Sequence, residues 1–185
     1  MKLSELQFRE SVQELLFGVV VQAAEDYREE SVRLIHDPKD MGARKKIERI
    51  SKFFLSEDFD VFTKVAGSYI LHRLEKEIED LKVLIEAVRE AEEELRMYYR
   101  VCLRNEDPED MPFLLPALFA GFRTYIELRS EVPEYALPLC PMVPGYKKII
   151  AHMKKWRKEY ADETGQGYDD FLSEAVREPE KAYPE

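Results

Sequence analysis

The stretch from Ser68 to Arg104 constrains the fold most, because its pattern predicts one long amphipathic helix. Apolar side chains recur there at alternating steps of four and three residues, which gives a heptad seam over about four heptads. The seam comprises Leu74, Ile78, Leu81, Ile85, Val88, Leu95, Tyr99 and Cys102, with Glu92 as its acidic interruption. A second stripe through Leu84, Ala91 and Tyr98 widens this face beyond a simple two-stranded zipper. Such a wide apolar face predicts a bundle in which other helices cover it.

Caps and apolar periodicity predict further helices on both sides of the long one. One helix ends near His36, and two others begin at the caps Asp40 and Ser56. Three more span residues 112–129, 146–160 and 169–177. The predicted fold is therefore all-α, an irregular bundle of six to seven helices around one long central helix, with a proline-rich strap. We expect a single helical domain over 1–177 and a flexible tail at 178–185.

The first predicted helix contains the uncharged run LLFGVVVQAA, Leu15 to Ala24. Its apolar side chains spread around the whole helix, which is typical of a segment buried on more than one side. Within it, Gly18 predicts either a kink or a close helix crossing.

Residues 131–145, EVPEYALPLCPMVPG, combine four prolines with apolar side chains. This spacing opposes an α-helix or a central strand and predicts an extended, polyproline-like strap. The apolar content favours a strap packed over the core. The alternative is a wall of a pocket or a contact for a partner.

The formal net charge of −10 opposes general binding to a polyanion. Cys102 and Cys140 lie among apolar residues and predict buried, reduced thiols rather than a disulfide framework. The sequence shows neither a secretory signal nor an apolar run of about 20 residues. We therefore expect a cytoplasmic protein with no membrane partner.

Motifs for catalysis or cofactor binding are absent from the sequence: it has no glycine-rich phosphate loop, no HExxH and no Cys-x-x-Cys. We therefore predict no cofactor and favour a noncatalytic protein. One alternative is a metal-dependent helical hydrolase, because a hard cation binds several carboxylate oxygens. Its candidate ligands are Glu25 and Glu29 on one helix and Glu75 and Glu79 on another. Basic neighbours on the same helices favour solvated, ion-paired faces instead.

The strongest polar signal is a basic face on the predicted helix 146–160. Its members are Lys147, Lys148, Lys154, Lys155 and Lys158. Such a face can neutralise phosphates, which makes a nucleic-acid-binding protein a second candidate. The acidic remainder of the chain makes this candidate weaker. Complementarity with an acidic partner, or with the acidic helices of the chain itself, explains the lysines equally well.

The leading interpretation is a noncatalytic helical interaction or regulatory protein that binds a protein partner or a second copy of itself. A homodimer would use the seam of the long helix. Its candidate interface residues are Leu81, Ile85, Val88, Leu95 and Tyr99.

Overall fold

The described part of the protein is built from helices. The computed structural model describes residues 5–57, 59, 63, 65–105 and 107–160, and this part contains no strand. It contains α1 (Glu5–His36), α2 (Met41–Phe54), α3 (Gly67–Arg104), α4 (Met111–Ser130) and α5 (Tyr146–Tyr160). Short 3-10 helices span Pro108–Asp110 and Glu134–Leu139. The all-α prediction is confirmed, and so is the long helix. The predicted helix at 169–177, the tail at 178–185 and most of the segment after Ser56 lie outside the described residues.

Contacts within the chain group into two compact units. One unit comprises Met1–Val83 and Glu134–Leu139, and the other comprises Leu84–Pro133 and Cys140–Glu185. The helix α3 contributes its first half to the former and its second half to the latter. The prediction of a single domain over 1–177 stays a prediction. None of the described helices is both long enough and apolar enough to cross a membrane.

Two local interactions fix where α2 and α3 begin. The Asp40 carboxylate accepts hydrogen bonds from the backbone N–H groups of Gly42 (2.9 Å) and Ala43 (3.0 Å), which caps α2 as predicted. The bond from Ala43 is the main reason why the pKa of Asp40 lies below its ordinary value. Gly67 is the first residue of α3, and a Cβ placed on it would lie 1.8 Å from the carbonyl oxygen of Phe54. Only glycine therefore fits this close contact.

The first unit is held together by packing of α1 against α2 and by ion pairs between helices. Glu30 of α1 is only 5% exposed and forms salt bridges with Arg33 of its own helix and with Lys46 of α2. Arg28 of α1 donates two hydrogen bonds, of 2.7 and 2.9 Å, to the carboxylate of Glu77 in α3. A buried acid held by two cations satisfies the requirement that buried charges be paired.

The second unit packs α4 against α5 and the second half of α3. Phe122 of α4 stacks on Tyr146 of α5, with ring centroids 5.7 Å apart. A Cβ on Gly121 would lie 3.9 Å from the Cα of Leu95 and 3.3 Å from the ring of Tyr98, so α4 lies close to α3 at this point. Cys102 and Cys140 are both buried and free, as predicted. Burial raises the pKa of both thiols.

The proline-rich segment differs from the predicted extended strap. Residues Glu134–Leu139 form a 3-10 helix with Pro138 inside it. A 3-10 helix this short has few internal hydrogen bonds to lose, so a proline disrupts it less than it disrupts an α-helix. In the second unit, Tyr125 accepts a hydrogen bond of 3.0 Å from the Val143 N–H, and Arg129 donates one to the Cys140 carbonyl. Packing over the core, the favoured interpretation of this segment, agrees with the burial of Ala136, Leu139, Cys140 and Val143.

Candidate interaction surfaces

The predicted dimer seam on α3 is filled by the chain itself. Leu81 is 4% exposed, Ile85 and Val88 are each 1% exposed, and Leu95 is fully buried. A second copy cannot reach these four side chains without opening the fold. Substituting them would therefore test folding rather than association.

Tyr99, the fifth seam candidate, is half-buried and has an internal partner. Its hydroxyl lies 2.9 Å from Nδ1 of His152 in α5, within hydrogen-bond distance. The Tyr99 ring is 6.1 Å from the ring of Trp156, and His152 is 5.2 Å from that ring. Trp156 therefore belongs to an aromatic cluster inside the second unit.

The charge of Glu92, the acidic interruption of the seam, is paired within α3. Its carboxylate pairs with Arg96, one turn further along α3, at 2.6 Å. The Glu92 side chain is 21% exposed, so it lies at the border of the buried face. An acid in the seam is compatible with internal packing because a cation at i+4 neutralises it.

One apolar surface that the described chain leaves exposed lies on α1. Leu15 is 69% exposed and Phe17 is 70% exposed, and Val19 and Val21 are also exposed. Among the described residues, no atom outside the adjoining backbone of α1 lies within 4 Å of the position of a Cβ on Gly18. The prediction that this segment is buried on more than one side is therefore wrong for the described chain. The close crossing suggested for Gly18 is not formed either.

The exposed side of α1 is continuous, since the described chain covers only the opposite side. Leu16, Val20, Ala23 and Ala24 are half-buried, and they continue into the buried Tyr27, Glu30 and Ser31. Residues 15, 17, 18, 19, 21 and 22 share the other side, and none of them carries a charge. The signal for this surface was the apolar run itself. Such a run predicts burial on all sides, because sequence periodicity cannot tell which residues will cover a helix.

The basic face of α5 is fully on the surface. Lys147, Lys148, Lys154, Lys155 and Lys158 are all exposed. Lys155 forms a loose pair with Glu159 at 3.8 Å, which is a weak interaction at the surface. The predicted basic helix 146–160 is therefore present as a charged surface.

The four carboxylates proposed as metal ligands remain on solvent-exposed helix surfaces. Glu25, Glu29, Glu75 and Glu79 are all exposed, and Glu79 pairs with Lys82 at 3.1 Å. Among the described residues, no three Asp, Glu, His or Cys side chains come together in a group able to hold a metal ion. The geometry that the hydrolase alternative needs is not formed in that part of the chain.

Comparisons with known proteins give no match, whether with protein-family models, with curated proteins or with solved structures.

Proposed function

We propose that this protein is a noncatalytic helical interaction protein that self-associates through the exposed side of α1. The surface, here called the α1 patch, consists of Leu15, Phe17, Val19 and Val21 around Gly18. The exposure of Leu15 and Phe17, 69% and 70%, is the observation that carries the proposal. Fully burying a side chain of this kind is worth about 1.5–3 kcal/mol, so an occupant that covers several gains substantial free energy. Contiguous exposed apolar surface of this kind marks contact sites on proteins.

A second copy of the chain is the occupant that the charges favour. The segment from Leu15 to Gln22 contains no charged residue, although the chain as a whole carries −10. Two copies that meet at this segment bring no like charges together there. The open space above Gly18 lets a second helix approach closely. A twofold pairing of identical patches is the commonest way for a protein to form a dimer.

The dimer should be weak, because the patch extends over about two helical turns. Interfaces that bury less than about 1,200 Å² in total are typical of transient complexes. We therefore expect dissociation in the micromolar range, about 1–100 µM.

Sedimentation velocity over about 1–200 µM protein tests the proposal, because this range spans the expected dissociation constant. The wild-type mass should rise from monomer towards dimer, and Phe17→Glu should stay monomeric. Phe113→Glu is the matched control, since Phe113 is 82% exposed and belongs to α4 rather than to α1. This variant should dimerise like the wild type. A wild-type chain that remains monomeric throughout, or a Phe17→Glu variant that still dimerises, would overturn the proposal.

A second candidate function is nucleic-acid binding by α5, and the exposure of its five lysines supports it. Two observations weaken it. Trp156 is half-buried and packs with Tyr99 and His152, so part of its ring is already in contact with its own chain. The chain also carries a net charge of −10.

Fluorescence anisotropy with labelled DNA and RNA oligonucleotides, measured at several salt concentrations, tests this candidate. Binding by α5 should weaken with salt and should be lost when Lys154, Lys155 and Lys158 become Glu. The same reversal at Lys45, Arg49 and Lys52 of α2, also exposed, is the control. Equal losses in both variants would indicate nonspecific attraction and would exclude a specific role of α5.

A further inference from the structure

A cleft of about 510 Å³ lies within the first unit, lined by α1, α2 and the first half of α3. Its apolar lining includes Leu34 of α1, Ile47 of α2 and Ile78 of α3. Pockets for small molecules typically measure about 300–1,000 Å³ and combine an apolar lining with a few polar groups. This cleft is separate from the α1 patch, which contributes no residue to it.

Four polar side chains line the same cleft. Arg44 of α2 and Lys82 of α3 bring positive charge to it, and Tyr27 and Ser31 of α1 bring hydroxyl groups. Tyr27 and Ser31 are only 7% and 5% exposed. The structure gives neither hydroxyl a hydrogen-bond partner among the described residues. Burial is the main reason why the pKa of Tyr27 lies above its ordinary value, so this hydroxyl stays a neutral donor.

Both cations keep binding capacity for a ligand. Arg44 donates one hydrogen bond, of 3.1 Å, to the Pro38 carbonyl, and a guanidinium has five N–H groups. Lys82 pairs with Glu79 at 3.1 Å, and both side chains are more than half exposed. A pair this exposed is worth about 0–1 kcal/mol, so a ligand anion can replace the Glu79 carboxylate.

We propose that this cleft binds a small amphipathic carboxylate, with an aliphatic body against Ile47 and Ile78 and the carboxylate beside Arg44 and Lys82. The apolar lining suits an apolar body, and the two cations, with no acid among the lining residues, favour an anion. Tyr27 and Ser31 can donate hydrogen bonds to the carboxylate oxygens. The same hydrogen bonds would be weaker to a neutral ligand of the same shape. The site does not depend on self-association.

Calorimetric titration of the full chain with octanoate, butyrate and octan-1-ol tests both features of the proposed ligand, the apolar body and the negative charge. Octanoate should bind with saturation. Each methylene should contribute about fourfold in affinity, so butyrate should bind more than a hundredfold more weakly. Octan-1-ol, which has the same apolar body without the charge, should bind at least about tenfold more weakly than octanoate.

Substitutions of Arg44 and Lys82 test whether these two side chains bind the carboxylate. Arg44→Gln and Lys82→Gln should each weaken octanoate about fivefold to tenfold and leave octan-1-ol unchanged. Lys45→Gln and Lys76→Gln, exposed positions on the same two helices that do not line the cleft, should leave octanoate unchanged. Phe17→Glu should also leave it unchanged, which separates the cleft from the α1 patch.

Amide chemical-shift changes show where octanoate binds. Saturating octanoate should shift the backbone N–H signals of Ser31 and Ile47 in the wild-type chain and should shift that of Phe113 little. The proposal is overturned if octanoate and octan-1-ol bind equally, if Arg44→Gln behaves like Lys45→Gln, or if Phe17→Glu abolishes binding. Absence of saturable octanoate binding would overturn it as well.

Discussion

The hydroxyl of Tyr135 donates a hydrogen bond of 3.0 Å to the carboxylate of Glu77, which also receives both hydrogen bonds from Arg28. Three segments that are distant in sequence thereby meet at one acid: the 3-10 helix of the proline-rich segment, α3 and α1. The acid is about one third exposed, so water screens the interaction in part. The contact explains how a segment without α-helical structure is fixed to the helices of the first unit.

Stability at alkaline pH should report on Tyr135. Burial, then the bond to Glu77, raises its pKa to about 12 from an ordinary 10.0. Below pH 10 both the folded and the unfolded chain hold the proton, so the full contribution is present. Between pH 10 and about 12 the unfolded chain loses the proton first, and the contribution declines. Urea unfolding should show Tyr135→Phe less stable than the wild type at pH 8, with a smaller difference at pH 11.

The control for this measurement is Tyr69→Phe, because Tyr69 is 59% exposed. Its difference from the wild type should be near zero at both pH values. A Tyr135→Phe difference that grows from pH 8 to pH 11 would contradict the proposed role of the hydrogen bond.

Stability at acid pH should report on Glu77. The hydrogen bond from Arg28 is the main reason why the pKa of Glu77 lies below its ordinary 4.5. A lowered carboxyl pKa contributes stability above the ordinary value, and the contribution is lost as the pH falls through the folded-state value. Glu77→Gln should therefore cost about 0.5–1 kcal/mol at pH 7, after allowance for its exposure, and the cost should vanish below the folded-state pKa.

Glu79→Gln serves as the comparison for Glu77, two residues further along α3. Its salt bridge with Lys82 is mostly exposed and should contribute little at any pH. If stability depends on pH equally in the two variants, the bonds of Glu77 to Arg28 and Tyr135 contribute no more to stability than an exposed salt bridge does.

Tyr125 should matter more than any other tyrosine for the proline-rich segment in the second unit. It is fully buried, accepts a hydrogen bond from the Val143 N–H, and donates one to the Pro141 carbonyl at 3.4 Å. Tyr125→Phe keeps the ring but leaves the buried Val143 N–H without this partner, which costs about 1–3 kcal/mol. Thermal or urea unfolding measures the loss, and hydrogen exchange at Val143 should accelerate. A variant with unchanged stability and unchanged exchange would show that this bond does not hold the segment.

Periodicity along α3 predicted its length and its buried side, since a regular pattern of apolar residues depends only on the helix that carries it. The same reasoning identified Asp40 as a cap, because capping is local. Residues 15–21 show its limit. An apolar run indicates that burying its side chains is favourable, but the residues that bury them come from other segments. In the described chain, such residues lie on one side of the run only.

Side-chain partners between segments were equally inaccessible from sequence. Nothing near Tyr135 in the chain indicates Glu77, and nothing near Tyr99 indicates His152, because these contacts depend on how the helices pack. The exposed lysines of α5 were predictable, since a charged stripe opposite an apolar one needs no partner to be placed on the surface. The cleft beside Arg44 and Lys82 was not predicted, because its lining comes from three helices.

Gly67 should tolerate no side chain, because α3 begins there against the end of α2. A Cβ would lie 1.8 Å from the carbonyl oxygen of Phe54 and 2.8 Å from the ring of Phe59. The nearer atom belongs to the backbone, so relief requires one of the two helices to move. Gly67→Ala should therefore destabilise the chain by about 3 kcal/mol or more, although alanine is the better helix former. Ser68→Ala, at the exposed next position, should change stability by less than about 0.5 kcal/mol. Urea unfolding of both variants decides the matter: a Gly67→Ala variant as stable as Ser68→Ala would mean that α2 and α3 do not meet as closely as this contact requires.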